Sequence, residues 1–171
     1  MSTESRMKAV LDELDFDFSE FTMDGFVAWI ESRIRRKIRF RAWPMPPGMF
    51  GVWVSDAEEL VEHIFYDDTG PLIQQVHIQL HELSHIICSH PTACLTGSQM
   101  RSLLLQSAED PTVLSHVLLR APAKDGIEEE AEILASLIQH QVINNKRIKQ
   151  LAITASSNDD LSDHFKSLGL V

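Results

Sequence analysis

Cysteine is nearly absent from this chain. Cys88 and Cys94 are the two among 171 residues, too few for a disulfide framework, and a free cysteine such as Cys88 is expected to behave as a small apolar group. Long apolar runs are missing as well. No stretch approaches the roughly eighteen uninterrupted apolar residues that span a bilayer, and Met1 to Arg6 has no apolar signal core, so a cytoplasmic protein is expected. Positive charge is scarce: 15 Lys and Arg face 25 Asp and Glu, a formal net charge of -10. That balance argues against a general nucleic-acid binder, which needs a basic field to meet phosphates. The local exception, Arg33, Arg35, Arg36, Lys37, Arg39 and Arg41, comes without a helix-turn-helix pattern and reads as a solvated helix end. There is a single tyrosine, Tyr66, and no repeat or low-complexity segment. What remains is 44% apolar and 23% charged, ordinary for one globular domain over residues 1–171.

Against this plain background one stretch stands out, His81-Glu82-Leu83-Ser84-His85. It reads H-E-x-x-H, which places two zinc ligands and a general base on one helix. Residues four apart share a helix face, so two imidazoles can hold one ion while Glu82 points beside it. With 8 His in 171 residues, roughly 0.03 accidental matches are expected. Asp68 and Thr69 as cap candidates, Pro71 near the first turn and Pro91 as a stop frame a helix of about twenty residues around the motif. Leu72, Val76, Leu80, Leu83 and Ile87 form its core stripe, with Ile78 and Ile86 in a second apolar row. Two buried imidazoles need partners, and one metal ion satisfies both.

A third ligand has to come from elsewhere. In Gly126-Ile127-Glu128-Glu129-Glu130-Ala131-Glu132-Ile133-Leu134-Ala135, the stripe Ile127, Ala131, Leu134, Ile138 and Val142 leaves Glu128 at the edge of the core face and turns Glu129 away. Ala131 and Ala135 would let a facing helix come close. Glu132 is a candidate partner for a ligand histidine. His77 extends the row of His81 and His85 and His90 lies past the helix end; both read as groups behind the ligands or on the surface. A capping box at Asp125-x-x-Glu128 is the competing explanation of the first-turn acids.

These two elements resemble the ImmA/IrrE-type metallopeptidases of bacteria and their mobile elements, the second through Glu128-x-Glu130-Ala131-x-x-x-Ala135. The resemblance covers about residues 22–142. It implies a minimal zincin-like fold with zinc on His81, His85 and Glu128 and Glu82 as catalytic base. It also implies a regulatory protease that cleaves a helix-turn-helix repressor under stress. Ser84 stands where the family has glycine, Glu132 where it has asparagine or aspartate, and Leu134 where it has phenylalanine, and no Met-Pro follows. The alternative is a non-catalytic zinc-containing module that sequesters a regulator; retention of Glu82 speaks against it.

The remaining expectation is an α+β fold with a small antiparallel sheet on a helical core. Residues 4–14 and 24–36 read as helices and Ile38–Trp43, Gly51–Ser55 and His63–Asp67 as strands, with a turn at Pro46-Pro47-Gly48. The helix carrying Glu128 runs to about Gln150, and a polar break at Ser156–Asp160 precedes a short final helix. A strand edge near the metal would let an extended peptide pair with it, and Tyr66 is a possible but uncommitted oxyanion partner.

Overall fold

A computed structural model describes residues 2–110, 113 and 125–156. Among them are helices α1 (Thr3–Glu13), α2 (Met23–Ile34), α3 (Leu72–Ile87), α4 (Gly97–Glu109) and α5 (Asp125–Ser156), and strands β1 (Lys37–Ala42), β2 (Gly51–Asp56), β3 (Val61–Tyr66) and β4 (Ala93–Leu95). The fold is α+β. The final helix expected beyond Ser156 lies outside the described residues.

The four strands run in the order β1-β3-β2-β4, and the sheet is mixed. β2 and β3 are antiparallel, whereas β1 pairs with β3 and β2 with β4 in parallel. This corrects the expectation of an antiparallel sheet. The segment from Trp43 to Phe50, with three prolines and Gly48 at φ 87°, is long enough to carry the chain past one strand position. β3 then returns between its two predecessors through a tight turn, at whose end Leu60 takes φ 53°.

Alternation along the strands separates two apolar layers. On one face Ile38 and Ile64 pack with Met7, Phe18, Phe26, Ile30, Leu80, Leu83, Leu134 and Ile138, uniting α1, α2, α3 and α5. On the other, Val54 and Phe65 meet Met100 and Leu103 of α4. The basic cluster is taken apart by this arrangement. Arg36 pairs with Glu62 behind the sheet, Lys37 and Arg39 pair with Glu31, and Arg33 lies 4.1 Å over the Trp29 ring. Arg36 is therefore a partly buried ion-pair partner of the buried Glu62 and not a freely solvated side chain. Glu62 also accepts from Trp53 Nε1 and Ser55 Oγ, so its charge is fully engaged.

Helix α3 starts later than expected. Asp67 Oδ1 takes the Thr69 N–H and hydroxyl, closing a turn that leaves Pro71 as the N-cap without a side-chain bond. Its first turn stands clear of the core: Leu72 is 74% exposed and Ile73 58%, so the buried face begins at Val76 and not at Leu72.

Removing the Arg36 side chain strands a buried carboxylate, a change that costs about 3–5 kcal/mol. Arg36→Ala is expected to lower unfolding stability by that amount in urea titrations, whereas Arg39→Ala, an exposed side chain 3.9 Å from a Glu31 that Lys37 also holds, is expected to change it by less than about 1 kcal/mol.

Candidate metal centre

Helices α3 and α5 cross with Ala131 and Ala135 fully buried between them. The approach brings together the three residues singled out from the sequence. His81 Nε2 lies 3.1 Å from His85 Nε2, and Glu128 Oε2 lies 3.3 Å from the first and 3.6 Å from the second. A tetrahedral ion with bonds of about 2.0 Å has ligand-to-ligand edges of about 3.3 Å, so the triangle already has the dimensions of one tetrahedral face. The three side chains form a group able to hold a metal ion. Glu128 is half exposed and His85 nearly buried, so the group is open to solvent on the α5 side.

Each imidazole has a second partner at its other nitrogen. His81 Nδ1 is 3.3 Å from Glu132 Oε2, and Glu132 is also held by His77 Nε2 at 3.1 Å. His77 Nδ1 is 2.9 Å from Gln139 Oε1, and Gln139 Nε2 donates to the Ile73 carbonyl. His85 Nδ1 is 2.9 Å from His90 Nδ1, His90 Nε2 is 3.3 Å from Glu130 Oε2, and Glu130 pairs with Arg6 of α1. Glu132 thus stands behind His81, as the sequence suggested. His90 reads in the sequence as a group behind the ligands or on the surface, and it stands behind His85; its continuation through Glu130 to Arg6 was not anticipated. Such outer hydrogen bonds fix ring orientation and tautomer.

Glu82 is set apart from this polar network. Its side chain is buried against the start of β2, where it accepts the Trp53 backbone N–H. Burial, with the nearby Glu128 charge second, pushes its carboxyl up to about 8. Gly51 makes the close approach possible: a Cβ there would lie 2.7 Å from Glu82 Oε1 and 2.6 Å from Ile78 Cγ2. Burial also lowers His85 to about 4, with His81 adding to the effect. A neutral imidazole is the form that ligates. Ser84 is fully buried and satisfied by donating to the Leu80 carbonyl at 2.7 Å. Cys88 is half-buried and its thiol is raised to about 11 by burial, whereas Cys94 is exposed on β4. Tyr66 sits opposite Gly51 in the sheet with its ring edge-on to Phe40 at 6.3 Å.

These shifts give the metal-free chain a definite pH response. The unfolded glutamate ionises near 4.5 and the folded Glu82 near 8, so stability falls as pH rises across that interval. His85 protonates near 6.5 when unfolded and near 4 when folded, so stability falls as pH drops below 6.5. The two slopes oppose each other at acid pH, and only that of Glu82 remains above 6.5. Metal-free protein is expected to lose about 1–2 kcal/mol between pH 6.5 and 8, and Glu82→Gln to remove that loss, as read from urea unfolding at the two pH values. No protein-family model, curated protein or solved structure matches this chain, so the chemistry of the site is read from its own geometry.

Proposed function

We propose that this protein is a zinc-dependent endopeptidase in which His81, His85 and Glu128 hold the metal and Glu82 is the general base. The observation that carries the reading is Glu82 itself, a buried carboxyl beside a triangle of metal-competent donors. A site that only holds structure gains nothing from it. Zinc in a three-ligand site supplies Lewis acidity and lowers the pKa of water to about 7. A cation beside Glu82 would favour its ionised form, leaving a carboxylate able to take a proton from the attacking water and return it to the departing amine. The Trp53 N–H holds that carboxylate in place.

The strand next to Glu82 supports a peptide as the substrate. β4 covers Val54–Asp56 of β2, so among the described residues Gly51, Val52 and Trp53 have a paired strand on the β3 side alone. Trp53 turns both backbone groups to the open side, its N–H to Glu82 and its carbonyl to Thr92 Oγ1 at 2.6 Å. Gly51, two residues earlier, points its own N–H and carbonyl the same way. An extended peptide can add there by backbone pairing, within reach of the base. From the resemblance of the two active-site helices to ImmA/IrrE-type enzymes, the substrate is a helix-turn-helix repressor.

Purified protein is expected to carry about one zinc per chain by elemental analysis, and less than half of that in His85→Ala and Glu128→Ala. Glu82→Gln is expected to keep its zinc while cleavage of repressor substrates drops at least about a hundredfold; full activity in that variant would sink the mechanism. Gly51→Ala pushes Glu82 aside without touching a ligand. It is expected to lower kcat roughly tenfold or more with zinc content unchanged.

A further inference from the structure

Beside the first group lies a second set of metal-competent atoms. Cys88 Sγ, His90 and Glu130 offer donors that all lie within 4.8 Å of one another. Cys88 caps the end of α3, His90 follows in the next turn and Glu130 comes from α5. Met7 Sδ lies 4.0 Å from the thiol. A thiolate, an imidazole and a carboxylate together suit zinc-like divalent ions.

The two groups share one hydrogen bond. His85 and His90 meet through their Nδ1 atoms at 2.9 Å, and a bond between two neutral imidazoles contains one proton. When His85 Nε2 ligates at the first group, its proton is on Nδ1 and is donated to His90 Nδ1. His90 then carries its own proton on Nε2, where it is donated to Glu130. That nitrogen has no lone pair left for a metal. When instead His90 Nε2 ligates at the second group, His90 Nδ1 donates to His85 Nδ1. The His85 proton then sits on Nε2, aimed at His81 Nε2 and Glu128, and closes the first group.

We propose that Cys88, His90 and Glu130 form a second, inhibitory site for a zinc-like divalent cation, whose occupation excludes metal from the His81–His85–Glu128 group. The proposal rests on the reading of that first group as the catalytic metal site. Filling the second site sends the Cys88 proton to solvent; Glu130 faces His90 with Oε2 and keeps Arg6 on Oε1. Excess metal would then switch the enzyme off without any change of fold: the shared proton passes from His85 Nδ1 to His90 Nδ1, the His90 Nε2 proton leaves to solvent, and His85 Nε2 takes one from solvent as the first metal departs.

Cobalt(II) separates the sites, because a thiolate ligand gives an intense near-ultraviolet charge-transfer band and a site built of imidazole and carboxylate gives only weak visible bands. The metal-free full-length chain is titrated with cobalt alone. Wild type is expected to show the visible bands first and the thiolate band only at excess, with the visible bands of the first site declining as it grows and apparent first-site affinity reduced roughly 5–150-fold. The His81→Ala/Glu128→Ala double variant, altered at two solvent-reached side chains, is expected to show the thiolate band from the first additions, and Cys88→Ser to lose it and to resist inhibition by excess metal. No thiolate band in the double variant, checked as folded by circular dichroism, overturns the second site. A thiolate band that grows in wild type while the first-site bands stay intact overturns the exclusion. Failure of the first reading looks different: wild type would then show no first-site bands at all.

Discussion

How closely α3 and α5 approach decides everything chemical in this protein, and two methyl groups set that distance. Ala131 and Ala135 are both fully buried, and the helix facing them carries His81 and His85 one turn apart. Larger residues at either position would lift α5 away, and a carboxylate side chain is too short to make up several ångströms. The same contact carries Glu132 to His81 and Glu130 to His90. One close helix crossing therefore supplies a candidate ligand and both outer partners from three alternate positions, 128, 130 and 132, of a single helix.

The electrostatics follow a division between wet and dry. Glu128 and Glu132 of α5 are more than half exposed and pair with His77, His81 and His85, while Glu82 is buried between α3 and β2. An acid so buried is held neutral until a positive charge arrives. Under the proposed function, the same cation that would polarise the substrate would also ionise Glu82. Arg6 extends the polar side further, since it ties α1 to the far end of the His85–His90–Glu130 chain.

Much of this was legible in the sequence because it is local or periodic. The motif helix and the stripe Ile127, Ala131, Leu134, Ile138 and Val142 with Glu128 at its edge follow from 3.6-residue periodicity; the last four are buried in the fold and Ile127, in the first turn, is only partly so. What was not legible depends on long-range placement. The order β1-β3-β2-β4 turns on where a proline-rich connection leads, and β4, only three residues long, has no pattern of its own. Arg6 and Glu130 are 124 residues apart, so no window joins them. Gly51 is a further case: in the sequence it is simply a residue at the start of a strand, and only the nearness of Glu82 shows why a side chain there would be unwelcome.

The half-covered strand β2 has a cost whatever it is proposed to bind. An unpaired edge will template any chain that offers complementary backbone, including another copy of the same protein, and Phe50 just before it is 52% exposed. Long flat edges of this kind promote self-association. Here, among the described residues, Gly51 alone is left open, because Trp53 is engaged by Glu82 and Thr92 and Val52 is turned to β3. An edge so short and so walled in admits a single strand at a time, which makes it a socket for a passing segment and a poor seed for a growing sheet.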